Sequence, residues 1–175
     1  MFGPIIRSKL NGIDVLIVIL IVAGCSCISP KKASERQIYD PKADGTGALD
    51  LSLEKAQQSG KHVLLSMGAN WCSDSQKMYD IFTTNPEIQN ELESHYVLTM
   101  VDVNDRSGRR RNQALIDRLS VSPEQGIPII LVLDQDGRLL NVDPSERLKD
   151  SDHAYPEKVL AYLKKWSGTS THIQY

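Results

Sequence analysis

Cysteine is scarce in this chain, which has only Cys25, Cys27 and Cys72 among its 175 residues. Three thiols at these positions cannot form the disulfide framework of a small secreted domain. No two of them have the spacing of a zinc site with histidine partners, so we expect no metal. An excess of one charge is also lacking, because the formal net charge is −2. We therefore expect no nucleic-acid partner.

What is present at the N-terminus resembles an export signal. Arg7 and Lys9 precede an apolar run, residues 13–23, which only Asp14 interrupts. A basic start followed by a short apolar run is typical of a secretory signal peptide, and the run is too short to span a bilayer comfortably. Residues 22–25, Val-Ala-Gly-Cys, resemble a bacterial lipobox. The resemblance implies cleavage before Cys25 and a lipid on that cysteine. An uncleaved anchor and a plain signal peptide are the alternatives.

The rest of the chain divides by composition. We predict a signal peptide over 1–24, a flexible polar tether over 25–48, one folded domain over 49–167 and a polar tail over 168–175. The expected location is the cell envelope, with the chain lipid-anchored to the periplasmic or extracytoplasmic face of a bacterial membrane. Cys27 would then be an idle thiol, a second acylation site or a distant resolving thiol that reaches Cys72 through the tether.

Hydrophobic periodicity predicts an α/β domain. Helices are expected at 49–59, 75–83, from Pro86 to about 96, at 109–119 and at 156–166, and strands at 62–67, 97–103, 129–133 and 138–142. Asp136-Gly137 is a strong hairpin turn between the last two strands. Alternating elements followed by a hairpin and a closing helix imply a central mixed sheet with helices on both faces.

One stretch, residues 68–75, carries the candidate chemistry. Its sequence is Gly-Ala-Asn-Trp-Cys-Ser-Asp-Ser, and it joins a predicted buried strand to a predicted helix. The start of a helix presents unpaired N–H groups and the positive end of the macrodipole, which favour a thiolate over a thiol. Cys72 is therefore a candidate nucleophile. The alternative is a structural thiol without redox activity.

This stretch, together with a later proline, resembles the thioredoxin superfamily. Trp71-Cys72 matches the tryptophan-cysteine pair at the start of that family's second helix, and Ile127-Pro128 matches its cis-proline. The hairpin and the C-terminal helix follow in the same order. The resemblance implies a thioredoxin-like fold over about residues 49–167. It also implies a client groove beside Ile127 and Pro128, whereas the simpler alternative is a proline at a strand entry.

Two positions depart from the family pattern. Ser75 stands where exported bacterial relatives carry the second cysteine, and Ser66 stands where the family has a buried acid six residues before the nucleophile. A dithiol oxidoreductase needs its second thiol to resolve the mixed disulfide, and a hydroxyl cannot do so. The site is therefore predicted to be a monothiol Cys-x-x-Ser site, which forms mixed disulfides or isomerises client disulfides.

The neighbours of the cysteine are candidates for tuning it. These tuning residues are Trp71, Ser73, Asp74 and Ser75. The Ser75 hydroxyl, one helical turn after the thiol, is placed to donate a hydrogen bond to the thiolate, whereas a carboxylate at Asp74 opposes a second negative charge. Helix capping is the alternative role for both residues. No cofactor is expected, because the residues around Cys72 do not match an iron–sulfur glutaredoxin motif.

These expectations combine into one predicted function. The chain is expected to be a membrane-tethered thioredoxin-like protein that forms mixed disulfides with cell-envelope proteins, or isomerises their disulfides, through Cys72. Its expected partners are the thiols and disulfides of those proteins and, through a lipid on Cys25, the membrane. The alternative is a redox-inactive lipoprotein that uses the same fold for binding or assembly.

Overall fold

The computed structural model describes residues 36–148, 152 and 155–168. Its helices are α1 (Gly45–Ser59), α2 (Ser73–Thr84), α3 (Pro86–His95), α4 (Gln113–Leu119) and α5 (Pro156–Ser167). Its strands are β1 (His62–Gly68), β2 (Tyr96–Asp102) and β3 (Ile129–Leu133). Short 3₁₀ turns lie at Pro123–Gln125 and Pro144–Glu146.

Strand β1 is the centre of the sheet. It pairs in parallel with β2 and antiparallel with β3, so the order is β2-β1-β3. All seven of its residues are buried. A strand covered on both faces needs side chains that suit a core on each side, which explains its run of apolar residues. The predicted mixed sheet is therefore confirmed.

The sheet separates two hydrophobic cores. Side chains of β1 alternate between them, since Val63 and Leu65 lie in one core and Leu64 lies in the other. The first core includes residues of α1 and α4, and the second includes residues of α2, α3 and α5. Helices therefore cover both faces, as predicted, and Cys72 belongs to the first core.

The packed domain begins earlier than the predicted boundary at residue 49. Tyr39 is fully buried, and α1 starts at Gly45, where the Asp44 side chain caps it by accepting a hydrogen bond from the Thr46 N–H. The polar composition of the predicted tether concealed this packing. Its last part, residues 36–48, belongs to the domain.

One predicted strand does not form in the described residues, and one predicted helix is shorter than expected. No strand forms over 138–142, where only a Leu133–Leu139 bridge is present. The Asn141 side chain takes the place of a strand backbone by accepting from Val132 N and donating to Ile130 O. Helix α4 starts at Gln113 rather than at residue 109. The residues before it are not helical, because the Arg111 N–H donates to the Val103 carbonyl beside β2.

The predicted signal peptide, Cys25 and Cys27 lie outside the described residues, as does the predicted tail after Gly168. Within the described stretches, no helix is both long enough and apolar enough to cross a bilayer.

Candidate thiol site

Cys72 lies at the junction between the sheet and α2. The chain leaves β1 after Gly68 and turns, with the Cys72 N–H bonded to the Ala69 carbonyl at 3.1 Å. Cys72 has extended backbone angles, and its carbonyl accepts the Gln76 N–H at 3.1 Å, so it is the N-cap residue of α2. The sulfur therefore sits at the positive end of the helix, as the sequence predicts.

The sulfur faces the loop that precedes β3. Cys72 is only 9% exposed, and its thiol donates to the Ile127 carbonyl across 3.4 Å. The Ile127–Pro128 peptide bond is cis, which confirms the geometry that the resemblance implies. The fold thus brings Cys72 next to the Ile127-Pro128 pair, which begins 55 residues later in the sequence. Beyond Pro128 lies a cavity of about 240 Å³, whose lining includes Gly126 and Arg147.

Ser75 is fully buried, and its Oγ accepts the Ala69 N–H at 3.4 Å. Its hydroxyl lies near the phenol of Tyr39, because a Cβ at Gly68 would lie 2.7 Å from the Ser75 oxygen and 2.5 Å from the Tyr39 oxygen. The predicted donation from this hydroxyl to the Cys72 thiolate stays a prediction.

Ser66 occupies the expected position on β1, and its partner is Tyr39. The two hydroxyl oxygens lie 3.0 Å apart, and both residues are fully buried. Burial raises the pKa of Tyr39 to about 12, and the neighbouring hydroxyls of Ser66 and Ser75 act in the opposite direction. Three buried hydroxyls thus lie beside residues 69–72, which we call the thiol loop. We call Tyr39, Ser66 and Ser75 the hydroxyl cluster.

Tyr39 belongs to a segment that was predicted to be part of the tether. Residues 36–41, which we call the N-terminal strap, are held by Asn70 of the thiol loop. The Asn70 Oδ1 accepts the N–H groups of Ile38 and Tyr39, both at 2.8 Å, and its Nδ2 donates to the Tyr39 carbonyl at 2.7 Å. The signal available in the sequence was the Ile38-Tyr39 pair, an apolar and aromatic couple within a polar stretch.

The other end of the strap contacts α2. The Arg36 guanidinium makes two hydrogen bonds to the Asp80 carboxylate, at 2.8 and 3.1 Å, and lies 5.6 Å from the centre of the Tyr79 ring. The pair is about half exposed, and exposed ion pairs of this kind contribute at most about 1 kcal/mol. The buried Asn70 bonds are therefore the main attachment of the strap.

The remaining tuning candidates are partly buried or exposed. Trp71 is half-buried, and its indole N–H donates to the Asn104 carbonyl at 3.3 Å. It packs against the first core and also borders a cleft of about 270 Å³. Asp74 forms an ion pair with Lys77 at 3.2 Å, and Ser73 is exposed at the first position of α2.

Charged groups on β2 and the following loop are paired with one another. The Arg111 guanidinium donates to the buried Asp102 carboxylate at 3.0 Å. Burial raises the pKa of Asp102, and the hydrogen bond from Arg111 opposes that shift. In the described part of the chain, no three His, Cys, Asp or Glu side chains are placed to share a metal ion.

Comparisons with known proteins show what the chain is similar to. A family model described as thioredoxin-like matches residues 44–135, more than half of the chain. A solved disulphide isomerase from Xylella fastidiosa Temecula1 shares 23% identity with a TM-score of 0.61, covering 75% of this chain and 98% of that one. A thioredoxin from Thermus thermophilus shares 23% identity with a TM-score of 0.49, covering 72% and 93%. No curated protein matches the sequence significantly.

Proposed function

Because the chain belongs to the thioredoxin-like family, we propose that it exchanges thiols and disulfides with proteins of the cell envelope through Cys72 alone. The observation that carries the proposal is the position of Cys72 at the N-terminus of α2, opposite the cis Ile127–Pro128 bond. A helix N-terminus favours the thiolate that attacks disulfides. The predicted thioredoxin-like fold is confirmed by the family match.

The proposed reaction starts with attack by the Cys72 thiolate on one sulfur of a client disulfide. A bond forms between Cys72 and that sulfur, the client disulfide breaks, and the second client sulfur leaves as a thiolate with the electron pair. Ser75 cannot resolve this intermediate because it has no thiol. A client thiolate therefore attacks the mixed disulfide, forms a new client disulfide and returns the electron pair to Cys72. The net reaction is isomerisation, and it consumes no oxidant or reductant.

The test uses a purified client with scrambled disulfides and the full-length chain. We expect Cys72 to restore native pairing catalytically, and Cys72→Ala to be inactive. Reduction of insulin by dithiothreitol provides a contrasting assay, in which wild type should accelerate the reaction little and Ser75→Cys should accelerate it strongly. Equal isomerisation by wild type and Cys72→Ala would reject the proposal.

We also propose that the chain is tethered to a membrane by a lipid on Cys25. The support is the short apolar run followed by Val-Ala-Gly-Cys at residues 22–25. When a bacterial host expresses the full-length chain, wild type should incorporate labelled palmitate and enter the detergent phase. Cys25→Ala should do neither, and Cys27→Ala is the matched control. Equal labelling of wild type and Cys25→Ala would contradict the tether.

A second candidate is binding or assembly without redox chemistry. The specific observation in its favour is the low exposure of Cys72, whose thiol is already bonded to the Ile127 carbonyl. This candidate predicts that Cys72→Ser keeps the cellular phenotype, whereas Gln125→Trp, which fills the cavity beyond Pro128, abolishes it. The redox proposal predicts loss of the phenotype in Cys72→Ser.

A further inference from the structure

The cavity beyond Pro128 lies beside the thiol. It is lined by the loop before β3 and by residues of the segment 144–148. Pro128 is part of this lining, and the Cys72 thiol is 3.4 Å from the carbonyl of the residue before it. One extended residue spans about 3.5 Å, so a client sulfur bonded to Cys72 has its next one or two residues within reach of the cavity.

Arg147 gives the cavity its charge. Among the described residues that line the cavity, it is the one with an ionisable side chain. Its Nε and Nη2 donate to the carbonyls of Asn141 and Val142, at 3.4 and 3.2 Å. A guanidinium has five N–H groups, so these two bonds leave three for a further acceptor.

The carboxylates near Arg147 have other partners. Glu146, its neighbour in the chain, pairs with Lys165 at 2.9 Å. Asp143 accepts the Ser145 N–H at 2.8 Å, and this bond is the main cause that lowers the pKa of Asp143, to which the charge of Arg147 adds. In the described part of the chain, no carboxylate lies within ion-pair distance of the Arg147 guanidinium. The cavity therefore has a positive charge that suits an acidic group.

We infer that Arg147 selects clients: the cavity accepts an acidic side chain one or two residues from the client cysteine that Cys72 attacks. A carboxylate there gains a charge-assisted hydrogen bond from the guanidinium. Ser122 and Gln125 also line the cavity, and their hydroxyl and amide groups supply further donors. The identity of the client rests on the proposed function, whereas the preference for a carboxylate is a property of the cavity.

The first experiment measures adduct formation between the full-length chain and peptide disulfides by mass spectrometry. Each peptide is a homodisulfide of acetylated and amidated Ala-X-Cys-X-Ala, in which X is Glu or Gln. The Cys72 thiolate attacks one peptide sulfur, a bond to Cys72 forms, and the other peptide leaves as a thiolate with the electron pair. We compare the ratio of the Glu-peptide rate to the Gln-peptide rate between variants, because intrinsic differences between the peptides then cancel.

Arg147→Gln should lower this ratio about threefold, which is within the range of a partly exposed ion pair. Arg147→Lys keeps the charge and should lower the ratio by less than about twofold. Gln125→Glu leaves Arg147 in place but adds a carboxylate to the cavity lining, so it should lower the ratio at least as much as Arg147→Gln. Salt at about 0.5 M should reduce the wild-type ratio, because it screens the charge.

Arg118→Gln is the matched control, because it changes the net charge equally and removes an arginine whose partner is Asp50 on α1. It should keep the wild-type ratio. The inference is overturned if Arg147→Gln or Gln125→Glu keeps that ratio, if Arg147→Lys lowers it as far as Arg147→Gln, or if Arg118→Gln lowers it equally.

The second experiment separates this inference from the proposed function. The same peptides, with S-methylcysteine in place of cysteine, are titrated into full-length Cys72→Ala while NMR follows the amide of Gly126, which lines the cavity. The Glu peptide should bind about threefold more tightly than the Gln peptide, and adding Arg147→Gln should remove the difference. Equal binding of the two peptides overturns the inference. If the preference holds while neither peptide forms an adduct with wild type, only the proposed function fails.

Discussion

At the scale of single residues, the site depends on close contact between the strand end and the hydroxyl cluster. Gly68 ends β1, and its missing side chain leaves the space that the Tyr39 and Ser75 hydroxyls occupy. Both hydroxyls are buried and hydrogen-bonded, so neither can move aside without losing a partner. A larger residue at this position therefore has to displace these two buried hydroxyls, which are shielded from water that could replace a lost hydrogen bond.

We predict that Gly68→Ala lowers the free energy of unfolding by about 1–3 kcal/mol, the usual range for inserting a methyl group into a filled interior. Urea denaturation of the full-length chain measures it. Gly168→Ala is the matched control, because a Cβ there meets nothing within 4 Å. That variant should stay within about 0.5 kcal/mol of wild type, and an equal loss in both would contradict the contact.

A second residue-scale prediction concerns acid stability. The Asp105 carboxylate accepts hydrogen bonds from the Ser107 hydroxyl at 2.6 Å and from the backbone N–H groups of Ser107 and Arg109. The Ser107 hydroxyl is the main cause that lowers the pKa of Asp105 from 3.8 to about 2. A lowered carboxyl pKa stabilises the fold above the unfolded value, and this contribution disappears as the pH falls through the folded value.

Wild type should therefore lose stability between about pH 4 and pH 2 more steeply than Asp105→Asn, which has no carboxylate to protonate. Thermal unfolding followed by circular dichroism across this range measures both slopes. Parallel curves for the two proteins would show that Asp105 is not held as the structure describes.

At the scale of elements, the N-terminal strap is the part that the sequence concealed. A short continuous apolar run located β1, and apolar residues at helix spacing located α2 and α3. The strap has no such period: it is attached through the Asn70 side chain and one buried tyrosine. Likewise, Asn141 replaces a predicted strand with side-chain hydrogen bonds. Side-chain-to-backbone bonds between distant segments leave no periodic pattern in a sequence.

We predict that Asn70→Ala releases the strap while the sheet remains folded. The amide hydrogens of Ile38 and Tyr39, which bond to Asn70, should exchange about tenfold faster relative to those of β1, as expected for loss of about 1.4 kcal/mol of local hydrogen bonding. Hydrogen exchange resolved by mass spectrometry or NMR detects the change.

Asn141→Ala is the control for that measurement, because Asn141 is another buried asparagine whose side chain makes three hydrogen bonds. It should lower global stability and leave the ratio of strap exchange to β1 exchange unchanged. A strap that stays equally protected in Asn70→Ala would mean that the Arg36–Asp80 pair, rather than Asn70, holds it.

At the scale of the whole molecule, the sequence predicted the fold better than it predicted the contacts within the site. Trp71-Cys72 and Ile127-Pro128 identified the family and the cis bond, because these pairs sit at fixed places in its topology. The replacement of a cysteine by Ser75 was visible, but its buried neighbour Tyr39 was not. Tyr39 comes from a segment whose polar composition is typical of a linker, and only the folded chain brings its hydroxyl and that of Ser75 to the same side of Gly68.

Disulfide exchange with envelope proteins through Cys72 alone is the activity proposed for this chain. The most direct measurement is trapping in cells: the full-length chain is purified under non-reducing conditions after acid quenching, and proteins joined to it are identified by mass spectrometry. We predict adducts that dithiothreitol releases, that Cys72→Ala abolishes, and that Ser75→Cys depletes because a second thiol resolves them. An identical set of adducts from wild type and Cys72→Ala would contradict the account.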